Sequence, residues 1–151
     1  MTRYERSVTP PAQCSFCRII EGYDSAQVVY ETPAVLAFFP LRPATIGHTL
    51  VIPKRHLDDF LALDQSFVEP FFSAVLLVSR SLQAALEPEG LNIISSSGTA
   101  ASQTVFHLHV HVVPRWAHDR IGAIWPPPDS STARVTADVV DRVRQACAKI
   151  T

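Results

Sequence analysis

Residues His107–Arg115 read HLHVHVVPR and hold three of the chain's six histidines at strict two-residue spacing. Leu108, Val110 and Val112 fill the gaps. Apolar and polar residues that alternate with period two, the apolar ones mostly β-branched, predict a β-strand. Successive strand side chains point to opposite faces, so His107, His109 and His111 share one face at roughly 6–7 Å spacing. Leu108, Val110 and Val112 go to the other face and into a core. One histidine in such a place reads as a hydrogen-bonded core side chain. Three imidazoles crowded on one face are costly unless they handle a metal, a phosphate or protons.

The rest of the chain supplies partners for this strand. AQVVYET and AVLAFFP read as strands punctuated by Thr32-Pro33, and HTLVIP as a strand stopped by Pro53. GLNIISSSG gives a further strand, and CRIIEG has room for only a short helix. From about Ser66 to Leu86 the spacing turns helical, with Phe67, Phe71, Ala74, Val75, Val78, Leu82 and Leu86 on one broad stripe. Ser66 with Glu69 forms a possible capping box, while Pro70 favours a start nearer itself. Strands in adjacent pairs around one long helix predict an α+β fold, with an antiparallel sheet of about five strands. The expected division is a flexible lead-in over 1–12, a domain over 13–126 and a C-terminal helical extension over 127–151. The extension shows helical spacing through Val135, Val139, Val143 and Ile150.

Composition excludes several classes. With 151 residues, 47% of them hydrophobic, the chain supports one domain with a real core. A net charge of −1 offers no basic excess for nucleic acid. No apolar run reaches the roughly 18 residues of a membrane span. The start, MTRYERSVTPP, lacks the apolar centre of a secretory signal, so a cytoplasmic location is expected. The chain has no G-x-G-x-x-G and no G-x-x-x-x-G-K-[ST], so it offers neither a Rossmann nor a P-loop phosphate site.

Two kinds of chemistry remain. Cys14 and Cys17 form a C-x-x-C, and with two histidines such a pair suits tetrahedral zinc. His56 and the histidines of the triple are the available candidates. A redox role lacks the strand-to-helix context of thioredoxin-like motifs. Alternatively, a histidine nitrogen can attack phosphorus and form a covalent intermediate. His109 has an imidazole on each side to orient it and to pass protons. Upstream, the small-residue run SSSGTAASQT offers Gln103, Thr104 and backbone N–H groups to phosphate oxygens.

The motif HLHVHVV resembles the signature of the histidine-triad (HIT) superfamily of nucleotide hydrolases and transferases. CSFCRII, GHTLVIPKRH and SQTVFHLHVHVVPRW resemble, in order, further elements of its zinc-bearing bacterial members. The resemblance covers roughly Cys14 to Pro126. It implies a hydrolase that cleaves nucleoside 5′-phosphoryl bonds, in phosphoramidates or dinucleoside polyphosphates, through nucleotidyl-His109. It also implies His48 and His111 as catalytic support, with Gln103 at the α-phosphate and leaving-group side. His48, Gln103, Thr104, Ser96 and Ser102 then form the substrate-binding set. Structural zinc falls to Cys14, Cys17, His56 and His107. A homodimer paired through the long helix and an adjoining strand is implied, and Phe72, Leu76 and Leu77 do extend the helix's apolar surface beyond one stripe. The alternatives are a nucleotidyltransferase or phosphorylase, a nucleotide-binding protein with vestigial catalysis, and a hydrolase that uses the triple as a catalytic metal site.

Three positions depart from the family pattern. Pro40 stands where many members carry the aspartate that holds the ribose hydroxyls, Ser96 where many have asparagine, and Ser102 where glycine is usual. Proline has no side-chain acceptor, and charge-assisted bonds to ribose contribute on the order of 1.5–3 kcal/mol. Matched adenosine and 2′-deoxyadenosine phosphoramidates should therefore differ in kcat/KM by less than about tenfold. A hundredfold preference for ribose would contradict this reading of the sugar pocket.

Overall fold

The computed structural model describes residues 13–127 and 135–150; the expected lead-in over 1–12 lies outside them. Two compact units emerge, one ending at Ile121 and the other beginning at Gly122. In the first, α1 (Ser15–Ile20) precedes a hairpin of β1 (Gln27–Glu31) and β2 (Val35–Phe39), then β3 (Thr49–Pro53). Next come α2 (Gln65–Leu86), β4 (Gly90–Ile94) and β5 (Val110–Arg115). The five strands form one sheet in the order β1-β2-β3-β5-β4, antiparallel at every pairing. This is the expected α+β architecture. Among the described residues no helix is long and apolar enough to cross a membrane. In the second unit α3 (Ala137–Ile150) buries none of its residues and carries an Asp138–Arg142 ion pair at 3.1 Å.

Strand alternation divides the core in two. Val35, Ala37, Val51, Leu108, Val110 and Val112 face α2, where Phe71, Ala74, Val75, Val78 and Leu82 meet them. Leu36, Phe38, Leu50 and Ile52 turn the other way and pack on Phe16, Cys14 and Cys17 around α1. Burial of each large side chain here is worth about 1.5–3 kcal/mol, so both faces of β2 and β3 hold the domain together. His111 lies opposite Leu50 in the β3–β5 register, which puts the histidine face on the α1 side. A 22-residue helix covers one face and a six-residue helix the other. Phe16 caps the first two histidines of the triple edge-on, at ring-centroid distances of 5.7 Å to His107 and 5.4 Å to His109.

Two local expectations are corrected. The α2 helix starts neither at a Ser66–Glu69 box nor at Pro70. Asp64 is its N-cap and accepts the Phe67 N–H at 3.1 Å, while Ser66 donates to Asp64 at 2.5 Å. Pro70 lies inside the helix, where burial of Phe71 and the residues after it outweighs the one backbone bond that proline forfeits. The triad strand is also shorter than the alternation predicts. Its ladder begins at Val110; His107 lies in a bend before it, and Leu108 N–H bonds to Leu57 O at 2.5 Å instead of to a strand.

Glycine matters most at Gly47, one residue before His48. Its φ is +78°, and a Cβ there would strike Leu86 and stand 3.3 Å from Leu82 and Pro114. Ser102 holds a left-handed φ of 68° without that freedom. Gly47→Ala should lose about 2 kcal/mol of stability, whereas Ser102→Gly should gain about 0.5–1 kcal/mol, both read by urea denaturation. Equal midpoints for the Gly47 variant and the wild type would refute the first expectation, and a lower midpoint for the Ser102 variant the second.

Candidate active site and metal centre

Backbone groups dictate the protonation pattern of the histidines. The Ala44 N–H donates to His48 Nδ1 at 3.0 Å, so neutral His48 carries its proton on Nε2. His48 Nε2 stands 2.9 Å from His111 Nδ1 and donates to it. That leaves His111 with its own proton on Nε2. His109 Nδ1 lies 2.7 Å from the His107 carbonyl oxygen, which can only accept. His109 therefore holds its proton on Nδ1 and keeps a free lone pair on Nε2. The rings of His109 and His111 lie 4.9 Å apart, inclined at 72°. The result is a nucleophilic nitrogen beside an N–H donor, both set by the main chain.

Burial keeps these groups neutral. It lowers the pKa of His48 and of His109, since a charged imidazole loses its hydration there. His111 falls to about 4, first through burial and then through His109 and His48. Thr45 ties the loop before His48 to β5 by donating its hydroxyl to the Pro114 carbonyl at 2.7 Å. Ser95 donates to the His109 carbonyl at 3.0 Å, fixing the segment that follows β4 to the triad.

Gln103, Ser96, Ser102 and Thr104 all lie on that segment. Ser96 is half-buried, while Ser102 and Thr104 are exposed. Gln103 is buried, and its amide is engaged with the main chain: Oε1 accepts from Gly98 N–H at 2.7 Å, and Nε2 donates to the carbonyls of Asp58 at 2.7 Å and Val105 at 3.1 Å. Pro40 follows directly on the last residue of β2.

The metal candidates come together from three segments. The ligand atoms of Cys14, Cys17, His56 and His107 all lie within 4.8 Å of one another. Cys14 Sγ is 3.4 Å and Cys17 Sγ 3.6 Å from His107 Nδ1, and Cys17 Sγ is 3.3 Å from His56 Nδ1. Donors at about 2.0–2.3 Å from a tetrahedral centre stand about 3.3–3.8 Å apart, a range these three separations meet, so two thiols and two imidazoles are placed where they could hold a metal ion. The far nitrogens fit as well. His107 Nε2 donates to the Pro53 carbonyl at 2.8 Å, and His56 Nε2 faces the Asp58 carboxylate at 3.1 Å. Each Nδ1 lone pair is thereby directed at the thiols, the usual support for metal-binding histidine. Burial beside Cys14 pushes the Cys17 thiol up to about 12, and burial takes His107 down to about 4.

His107 thus turns to the thiols, while His111 faces His48. Asp58 escapes a reading by motif because His-x-Asp spacing on a loop is common; KRHLDDF holds the signal. The supporting main-chain groups of Ala44, Pro53 and His107 have no side-chain signature at all.

Comparison with known proteins agrees with this geometry. The HIT domain family matches residues 21–118. Protein hit of Bacillus subtilis is 41% identical over 74% of this chain and 78% of its own. The adenylylsulfatase HINT3 of Arabidopsis thaliana is 33% identical over 78% of this chain and 59% of its own. The crystal structure of a HIT family protein from Bacillus anthracis superposes with a TM-score of 0.79 at 36% identity, covering 91% of this chain and 96% of that one. With its histidine face, its sheet and its sequence all in agreement, the chain belongs to the HIT domain family.

Proposed function

We propose that this protein is a nucleotide hydrolase that works through a covalent nucleotidyl-His109 intermediate. The observation that carries the reading is the free Nε2 lone pair of His109, held by its Nδ1–H bond to the His107 carbonyl. His109 Nε2 attacks the α-phosphorus, the new N–P bond forms, and the bond to the leaving group breaks, the leaving group keeping the electron pair and taking a proton from solvent. The His111 Nε2–H, aligned by His48, donates to the phosphoryl oxygens as charge develops on them. Water then attacks phosphorus and loses a proton to solvent, and the N–P bond breaks with its electron pair returning to Nε2, which releases the nucleoside monophosphate. That a relative is named an adenylylsulfatase supports substrates with an adenylyl group and a good leaving group.

His109→Ala should abolish turnover of adenosine 5′-phosphoramidate and keep AMP affinity within about threefold, because a nucleophile acts on the transition state. Intact-mass analysis after rapid quench should find a nucleotidyl adduct on the wild type. Since burial lowers the His109 pKa, its neutral form dominates to below pH 6.5, the ordinary histidine value. The kcat/KM profile should accordingly stay flat as pH falls from 8 to about 6.5 and decline only below. Near-wild-type turnover by His109→Ala, or a decline centred above pH 7, would refute the mechanism.

The Cys14, Cys17, His56 and His107 set is read as a structural zinc site. Zinc bound there supplies a cross-link among α1, the loop after β3 and the approach to β5, with all four positions filled by protein. Because the Cys17 thiol is raised to about 12, metal uptake must displace its proton, and affinity should rise with pH. Purified wild type should contain one zinc per chain, and Cys17→Ser should lose both zinc and several degrees of melting temperature. Equal zinc in the two would refute the site.

Homodimerisation is the last element of the proposal. Val28 and Val29 on the edge strand and Leu76 and Leu77 on α2 are between 44% and 51% exposed, more apolar surface than a monomer gains from. Light scattering at micromolar concentration should return twice the chain mass; a monomer mass would contradict it.

A further inference from the structure

The segment that joins β2 to β3 has no regular structure, yet it delivers His48 to the site. Its residues are exposed from Leu41 to Ala44 and again at Ile46, and Thr45 between them is half-buried. Burial therefore does little to hold this turn in place. What seats it is β5. The Thr45 hydroxyl donates to the Pro114 carbonyl at 2.7 Å, and a Cβ on Gly47 would stand 3.3 Å from the Pro114 ring. The β3–β5 ladder has ended by then, its last pair in that direction being Thr49 with Val112. Beyond the ladder, the Pro114 carbonyl takes its bond from a side chain.

The same turn carries the donor that selects the tautomer of His48. The Thr45 carbonyl accepts the His48 N–H at 3.1 Å, and the Ala44 N–H donates to His48 Nδ1 at 3.0 Å. Thr45 thus stands between the amide that bonds the ring and the backbone that bears it. From Pro114 the bonds run through Thr45 to His48 and then, at 2.9 Å, to His111 Nδ1. A neutral imidazole has two tautomers, so a proton from either ring can join His48 to His111. With the Ala44 N–H in place, the shared proton belongs to His48, and the His111 proton lies on Nε2. With that amide displaced, His48 is free to carry its proton on Nδ1. Its Nε2 then accepts from His111 Nδ1, and His111 Nε2 becomes a bare lone pair. A lone pair there repels a phosphoryl oxygen instead of binding it.

We propose that Thr45 is a positioning residue. Its hydroxyl fixes the Ala44–His48 turn on Pro114 and so holds His48 and His111 in the tautomers that leave an N–H of His111 for the substrate. The consequence for turnover rests on the nucleotide hydrolase reading; the consequence for the tautomers does not.

Thr45→Val removes the hydroxyl and keeps the branched shape, while Thr45→Ser keeps the hydroxyl. Two-bond proton–nitrogen NMR spectra of the ligand-free protein, with 15N-labelled histidine at about pH 8 where imidazoles are neutral, read the tautomer of each ring. Wild type and Thr45→Ser should show His48 and His111 protonated on Nε2. In Thr45→Val the Nδ1–H tautomer of both rings should reach at least about half. On adenosine 5′-phosphoramidate, kcat of Thr45→Val should fall about fivefold with KM within about twofold, and Thr45→Ser should restore it. Unchanged tautomers in Thr45→Val overturn the proposal, even if the variant melts at a lower temperature. So does a wild type in which His48 carries its proton on Nδ1. A rise in KM with kcat and tautomers unchanged makes Thr45 a ligand contact instead. A wild type that turns over no nucleotide removes the hydrolase reading, while the spectra still decide the role of Thr45. Should Thr45→Val not fold, Thr45→Ala removes the hydroxyl with less bulk and carries the same expectations.

Discussion

The hydrogen bond from His109 Nδ1 to the carbonyl oxygen of His107 is the contact on which the site turns. It selects one tautomer of His109 and leaves the other nitrogen free to react. It also makes the His109 ring depend on where the His107 backbone sits. That backbone is held by its own side chain, with Nδ1 facing two thiols and Nε2 on the Pro53 carbonyl. The orientation of one histidine is therefore tied to the contacts of another two residues away. The buried surroundings make each of these bonds stronger than it would be in water and each omission more costly. Among the described residues no buried side-chain nitrogen or oxygen lacks a partner.

The unequal covering of the sheet explains where the site lies. α2 spans one face and consumes its apolar side chains in a dry core. α1 is six residues long and reaches only far enough to seat Phe16 and the two cysteines over the near end of the histidine face. Burial falls along that face, from His107 at 0% exposure to the half-buried His111. The most buried of the three, His107, is the one that faces the thiols. The same burial lowers all three pKa values.

Much of this was legible in the chain of letters. Period-two alternation in HLHVHVV places the histidines on one face, because side-chain direction in an extended chain depends only on position parity. The strand pairs and the one long amphipathic stripe foretell the sheet and α2. Local rules failed where local energies were overridden. Pro70 is a poor interior helix residue, yet it is tolerated because the core positions around it are satisfied by packing. His107–His109 lie outside the strand ladder, with the Leu108 N–H on Leu57, the His107 carbonyl on the His109 ring and the His109 carbonyl on Ser95.

The sequence by itself determined which side chains share a face, the α+β class and the chemical types available: thiols, imidazoles and an amide. Such properties follow from residue identity and short-range periodicity. Only the tertiary structure decided which groups each histidine faces. His107 joins Cys14 and Cys17 across some 90 residues of chain, and His48 meets His111 across 63. Tautomers, pKa shifts and the engagement of Gln103 depend on the carbonyls and amides of other segments. Those groups are the same in every residue, so their positions cannot be read from side-chain identity and arise only when the chain closes on itself.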